Sequence, residues 1–310
     1  MKIVVLDAAP LGLNDISWAP IEALGEVTIH ERTTLEELDT RARGAQAILT
    51  LRVPFNRECL RRLTDLRYIG VLGSDPSIIN VDAARKRNIT VNWTDGIDTD
   101  SVAQHTFALL LELTHGVGHH AHTVRNGRWS RAHDFTFRLQ PLLELSGTTL
   151  GIIGFGRVGQ AVARIARAFG MNVVACDPAL SSSPSDGVSI APLEELLASA
   201  DIVSLHCPHT PQTERLINQD TLARMKPAAY LLNTAHGALV DEEALATALR
   251  DRKLGGAGLD VLSAEPASPK NPLLRAPRCI ITPHLAWATR AARQRIINRA
   301  AEQLSAAGIS

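Results

Sequence analysis

Two side chains late in the chain have the types and spacing for proton transfer. His284 follows the apolar run Cys279-Ile280-Ile281-Thr282-Pro283, and Glu265 follows Gly258-Leu259-Asp260-Val261. A carboxylate beside an imidazole orients the ring and favours its protonated form, which is what general acid–base chemistry needs. A third apolar run, Tyr230-Leu231-Leu232-Asn233, ends in Thr234-Ala235-His236-Gly237. Ligands of an open α/β sheet sit beyond the carboxyl ends of its strands, so the polar groups that end these three runs converge on one region.

A second constellation binds rather than reacts. The apolar run Leu150-Gly151-Ile152-Ile153 leads straight into Gly154-x-Gly156-x-x-Gly159, and a helical pattern follows over 160–169. A lone GxGxxG is weak evidence, but between a strand and a helix it is a strong signal for a dinucleotide site. The first glycine permits the tight turn and the second lets the backbone approach a pyrophosphate. The third lets helix and strand pack closely, and the helix N-terminus faces the anion. Eighteen residues past Gly159 the next apolar run ends in Asp177, a carboxylate suited to ribose hydroxyls and repelling a 2′-phosphate. No Arg or Lys follows it closely, so the expected cofactor is NAD.

These groups need strands and helices to hold them. Short β-branched runs at 3–7, 27–30, 47–51, 68–72 and 89–93 alternate with helical patterns such as 35–43 and 81–87. That pace predicts a parallel sheet with crossover helices. A long helical pattern spans 98–117, and 116–141 reads as irregular, polar and rich in His and Arg. A second α/β unit has strands at 150–154, 172–177, 202–206, 230–233, 256–259 and 279–282, a serine-rich loop at 181–185, and a terminal helix over 287–306. Length is sufficient for two domains, since the chain has 310 residues. Lys plus Arg and Asp plus Glu are 32 each, and this balance argues against a nucleic-acid partner. No apolar stretch has membrane-spanning length. Cys59, Cys176, Cys207 and Cys279 are scattered with no framework spacing, which suggests a reducing, cytoplasmic setting.

The pieces Asp100-Ser101-Val102-Ala103-Gln104-His105, 150–159, Asn233-Thr234-Ala235, Leu259-Asp260-Val261 with Glu265-Pro266, and Thr282-Pro283-His284-Leu285-Ala286-Trp287 together resemble the D-isomer-specific 2-hydroxyacid dehydrogenases. The likeness is greatest to the phosphoglycerate and glycerate/hydroxypyruvate branches and covers essentially the whole chain. It implies two Rossmann-like parallel-sheet α/β domains, one flavodoxin-like and one NAD-binding, with the active site in a cleft between them. Residues 1–98 plus 285–310 would be the substrate domain and 99–284 the NAD-binding domain, with a dimerisation arm at about 116–146. His284 would then be the acid/base and Glu265 its partner. Asp260 would hold the nicotinamide carboxamide, with Thr234 and Ala235 at the ring. Gly154, Gly156 and Gly159 with Arg157 and Val158 would receive the pyrophosphate, and Asp177 the ribose. His206, Cys207, Pro208 and Thr213 would line the nicotinamide pocket, while Arg52, Ser74, Asp75 and Trp287 would face the substrate. A homodimer is implied, with a small-molecule substrate and no nucleic-acid or membrane partner.

The chain departs from that family in two places. His236 stands where relatives carry an Arg; a guanidinium is always charged and grips a carboxylate with two prongs, and an imidazole does neither. Asp75 stands where relatives have Gly, beside Pro76, which has no backbone donor, and Asn80 stands where they usually have Asp. Two readings follow. One is an NAD(H)-dependent oxidoreductase acting on a small 2-hydroxy/2-oxo acid or an atypical acid such as a phosphonate, with His284, Glu265 and His236 at the reacting centre. The alternative is an NAD(H)-binding pseudoenzyme or redox-sensing partner protein, which explains the lost Arg but not the retained His284 and Glu265. His115, His119, His120 and His122 lack a nearby acid or thiol and are expected to hold no metal. His105 is expected to be structural, and Trp287 is balanced between walling the substrate pocket and packing.

Overall fold

The computed structural model describes residues 1–180, 182 and 187–309; apart from Ser182, the serine-rich 181–185 loop lies outside the described residues. The chain forms two compact units, Met1–Asp98 with Trp287–Ser310, and Thr99–Ala286. Both are built on wholly parallel sheets with crossover helices.

The first unit contains β1 (Lys2–Val5), β2 (Glu26–Ile29), β3 (Ala47–Thr50), β4 (Tyr68–Val71) and β5 (Thr90–Trp93), in the order β2-β1-β3-β4-β5. This is the doubly wound flavodoxin-like order. The central strands are buried along their length, so they read as continuous apolar runs rather than alternating ones. Successive side chains still go to opposite faces. Val4, Ile48 and Ile69 pack with Leu38 and Leu60 on one face, and Ile3, Leu49 and Tyr68 pack with Ile296, Ile297 and Ala300 on the other. The second face is closed by the terminal helix Arg290–Ala306. That helix starts at 290 rather than 287 because Thr289 caps it, accepting from the amide of Ala292. Arg293 fastens it to Asp15 at 2.5 Å.

The second unit contains β6 (Thr149–Ile153), β7 (Asn172–Cys176), β8 (Val188–Ile190), β9 (Ile202–Leu205), β10 (Tyr230–Asn233), β11 (Gly256–Leu259) and β12 (Cys279–Ile281). Their order is β12-β11-β10-β9-β6-β7-β8. The direction of winding reverses between β6 and β9, and ligands of such sheets bind at that switch point. β8, three residues at the sheet edge, carries too short a pattern to be read from sequence. The helix Thr99–His115 buries Ala103, Phe107, Leu110 and Leu113 in the core of this unit. The sequence expectation of irregular chain from 116 onward is corrected by a second helix, Val117–Arg125. It buries no residue and so shows no apolar period, and Gly116, left-handed at φ 56°, separates it from the first. No described helix is long and apolar enough to cross a membrane.

Candidate active site

The dinucleotide turn takes its shape from contacts a side chain would destroy. Gly154 has φ 89°, and a Cβ there would lie 2.4 Å from the amide nitrogen of Cys207. A Cβ on Gly159 would lie 2.3 Å from the carbonyl oxygen of Gly154. At Gly156 the opposite holds, for a Cβ would meet nothing within 4 Å. Gly156 is the N-cap of the helix Arg157–Ala168, whose N-terminus has no side-chain cap and no acidic residue in its first turn. Open space above an uncapped, positively polarised helix end fits a pyrophosphate. Asp177, just past β7, accepts from the amide of Phe155 at 2.7 Å and from that of Ala179 at 2.9 Å. Its carboxylate is thereby fixed against the glycine turn, on the side where an adenosine ribose is expected. NAD thus meets a cradle of the right shape and charge.

The segment after β9 adjoins this turn through Cys207. His206 Nε2 shares a hydrogen bond with Ser204 Oγ at 2.8 Å, and desolvation pushes the imidazole down to about 3, so it is neutral at physiological pH. Burial likewise drives the Cys207 thiol up to about 11 and the Cys279 thiol to about 12, and raises Cys176. These thiols are protonated near neutrality. Thr213 Oγ1 donates to the carbonyl of Pro208 at 2.7 Å and accepts from the amide of Thr210, closing the 208–213 loop.

His284 and Glu265 are joined at 2.6 Å, Nδ1 to Oε2. A carboxylate only accepts, so the shared proton belongs to Nδ1. Glu265 Oε1 also accepts from the amide of Leu262, fixing the carboxylate from its other side. Glu242 holds the same loop, accepting from Ser263 N and Asn271 Nδ2 at 2.8 Å each, a support the sequence did not reveal because it lies two elements earlier.

His236 is carried on the turn after β10. Asn233, fully buried, accepts from the amides of Ala235 and His236 and donates to the carbonyl of His236. Thr234 Oγ1 meets Thr106 Oγ1 at 3.0 Å. A Cβ on Gly237 would overlap the carbonyl of Leu262, so this glycine lets the His236 turn rest directly on the Glu265 loop. The exposed His236 ring accepts from Ala238 N through Nδ1 at 3.2 Å and stacks on His209, with centroids 4.7 Å apart.

Asp260 is 1% exposed at the end of β11. Its Oδ1 accepts from Thr282 Oγ1 at 2.6 Å and from Leu285 N at 3.0 Å, and its Oδ2 from Ala286 N at 2.8 Å. Its own carbonyl accepts from His284 N. Burial pushes the carboxyl up, but the hydrogen bonds from His105, Thr282 and the two amides outweigh this and hold it below the usual value. His284 has φ 52°. That left-handed conformation costs an L side chain roughly 1–2 kcal/mol, so something must hold it there.

In the first unit, Arg52 follows β3 and its amide donates to Asp7 Oδ2 at 2.6 Å. Ser74 is exposed. Both oxygens of Asp75 are engaged by Ser77, one by its amide and one by its hydroxyl, each at 2.8 Å. Asn80 caps the helix Val81–Arg85 by accepting from Ala83 N, a position where Asn serves as well as Asp. Both departures from the family pattern in this loop therefore have local structural work. Trp287 packs against the apolar cluster around Ile296 and Ile297. Among the arm histidines, His120 bonds Gly116 O and Leu139 N, His122 bonds Asn126, and His115 bonds Thr114.

Residues 107–286 match the D-isomer specific 2-hydroxyacid dehydrogenase, NAD binding domain. The chain is 41% identical over 311 residues to a hydroxypyruvate reductase of Blautia hydrogenotrophica, covering 98% of this chain and 96% of that protein. It is 36% identical to a glycerate dehydrogenase of Methylorubrum extorquens, covering 98% and 95%. The crystal structure of the TT0316 protein from Thermus thermophilus superimposes with a TM-score of 0.88 at 39% identity, covering 99% and 96%. The chain belongs to the D-isomer-specific 2-hydroxyacid dehydrogenase family and is an NAD(H)-dependent oxidoreductase. These relatives do not favour the pseudoenzyme reading.

The three glycines should separate binding from folding. Gly156→Ala is expected to keep the wild-type melting temperature and weaken NADH at least tenfold in a fluorescence titration, whereas Gly159→Ala destabilises the protein itself. Equal NADH affinity in folded Gly156→Ala would remove the pyrophosphate from this turn. A second expectation concerns acid. Between pH 6.5 and about 3 the unfolded chain binds a proton at position 206 that the folded chain excludes. Stability therefore falls as pH falls across that window, by up to about 1.4 kcal/mol per pH unit. Urea unfolding at stepped pH should show a shallower slope for His206→Gln, and an identical slope would contradict it.

Proposed function

We propose that the protein reduces a small 2-oxo acid of the hydroxypyruvate or glyoxylate class with NADH and oxidises the 2-hydroxy acid in the reverse direction. The observation that carries this reading is the 2.6 Å His284–Glu265 pair, which leaves Nε2 as the proton-exchanging atom. NADH supplies the hydride when bound. His284 Nε2 gives a proton to the carbonyl oxygen; Glu265 stabilises the imidazolium before that transfer and accepts from Nδ1 of the neutral ring after it. Asp177 binds the ribose hydroxyls, and Gly156 with the first turn of Arg157–Ala168 the pyrophosphate. Ala235 and the 206–208 segment border the nicotinamide. Nε2 of His236 donates to the substrate carboxylate. Engagement of Asp75 by Ser77 supports an ordinary 2-oxo acid over a phosphonate, because that carboxylate is already committed. The four free cysteines support a reducing, cytoplasmic setting.

His284→Ala should lower kcat for hydroxypyruvate reduction by about 10²- to 10⁴-fold, the usual worth of a positioned acid. His236→Ala should act chiefly on KM, raising it about tenfold for one lost hydrogen bond of roughly 1–1.5 kcal/mol. NADH oxidation followed at 340 nm across 2-oxo acids, aldehydes and phosphonates tests the substrate class; turnover of phosphonates alone would overturn it.

We also propose a homodimer through the 116–146 arm, where Val117, Trp129, Phe135 and Leu142 are exposed and Phe135 is 88% so. Apolar side chains clustered along one arm call for cover. Sedimentation should give twice the chain mass, and Phe135→Asp should shift the species towards monomer. A monomeric wild type would refute it.

A further inference from the structure

The left-handed backbone of His284 is fixed from both sides by one residue, and that residue is fixed in turn by two more. Asp260 accepts from the amide of His284 through its carbonyl and from the next two amides through its carboxylate. Thr282 Oγ1 lies 2.6 Å from Asp260 Oδ1. His105 Nε2 lies 2.9 Å from the same hydroxyl and 3.4 Å from Oδ1. The polarity of this chain is determined. A carboxylate can only accept, so the Thr282 hydroxyl proton points to Asp260. The hydroxyl oxygen is then the acceptor towards His105, whose proton must sit on Nε2. The order is His105 Nε2–H to Thr282 Oγ1–H to Asp260 Oδ1.

His105 stands on the helix Thr99–His115, beside buried Thr106, whose hydroxyl is taken by Thr234. With 17% of its side chain exposed, the ring is largely buried, and its Nε2 faces Thr282 and Asp260. A polar ring there has a definite recipient, and that recipient controls the segment bearing the proton-exchanging imidazole. We propose that His105 and Thr282 are positioning residues which, through Asp260, hold His284 in the conformation that presents Nε2 for proton transfer. This rests on the reading of His284 given above. Neither residue touches the reacting atoms; each acts by fixing a neighbour's geometry. Loss of the Thr282 hydroxyl removes a donor from Asp260 Oδ1, and loss of His105 removes the group that orients that hydroxyl; either frees the 284–286 segment to relax from its left-handed turn. Proton transfer then becomes slower relative to binding and release.

The test compares Thr282→Val, Thr282→Ser, His105→Leu and His105→Gln with His284→Ala, in the intact protein. Each is assayed for kcat and KM with hydroxypyruvate, for NADH affinity by fluorescence, and for the primary isotope effect on kcat with NADH deuterated at the transferred position. Thr282→Val and His105→Leu should lose about tenfold or more in kcat and show a larger isotope effect, with NADH affinity within twofold of wild type. Thr282→Ser keeps the hydroxyl, and the amide of His105→Gln can replace the Nε2 donor, so both should recover at least half of the wild-type kcat. If Thr282→Val does not fold, the His105→Leu and His105→Gln pair decides alone. The proposal is overturned if kcat and the isotope effect stay within twofold of wild type in the disrupting variants. It is equally overturned if the loss lies wholly in NADH affinity, or if Gln at 105 is no better than Leu. Full activity of His284→Ala would instead bring down the proposed function. An inactive His284→Ala beside normal Thr282→Val and His105→Leu would bring down only the positioning role.

Discussion

A parallel strand that ends at a ligand site leaves its loop amides without ladder partners, and buried amides must be satisfied. This chain meets the requirement with an Asp or Asn placed at or just past the strand end. Asp7 beyond β1 takes the amides of Leu51 and Arg52 and the hydroxyl of Thr50. Asp177 beyond β7 takes those of Phe155 and Ala179. Asn233 closing β10 takes those of Ala235 and His236. Asp260 beyond β11 takes those of Leu285 and Ala286 and the hydroxyl of Thr282. Hydrogen bonds to an ionised acceptor are stronger than neutral ones, so a carboxylate in that place fixes a loop more firmly than main-chain contacts would. The loops that carry the chemistry are rigid because these groups are.

The two units use the device in the same form. In each, an Asp follows one strand and a Thr ends or follows the strand paired to it, β1 with β3 and β11 with β12. The Thr hydroxyl donates to the Asp, and the amides of a functional segment complete the carboxylate's shell. In the first unit that segment bears Arg52, and in the second it follows directly on His284. The segments that bear Arg52 and His284 are thus held by one local geometry.

What the sequence disclosed follows from where signals are local. Strand positions were legible to within one or two residues because buried parallel strands are continuous apolar runs. The glycine turn was legible because its three glycines sit between an apolar strand run and a helical pattern. The helix Val117–Arg125 was not, since a helix with no buried face has no period to detect. β8 was too short, and the capping roles of Asp75 and Asn80 were not legible. An Asx cap and a ligand-facing Asx look alike until the amide two or three residues on is seen to be its partner. His105 was read as structural because its partners Thr282 and Asp260 lie more than 150 residues away in sequence.

The same argument changes what His236 signifies. Considered only as a replacement for Arg, it is a lost charge. In the fold it is the cap of the turn it stands on, with Nδ1 accepting from Ala238 N, a task no guanidinium performs because it has no acceptor. A ring nitrogen that accepts a hydrogen bond is unprotonated, so the neutral tautomer carries its proton on Nε2. The ring's plane is set by the cap at one edge and by the stack on His209 across its face. Under the substrate role proposed for His236, a mobile, two-pronged cation gives way to a single donor whose direction is built into the turn. A carboxylate is held less strongly by such a donor, and its position depends more on the backbone that Asn233 secures and on Gly237, which seats the turn against the Glu265 loop. Under that same proposal, discrimination among small acids shifts from charge to the shape and hydrogen bonding of the groups that flank the carboxylate.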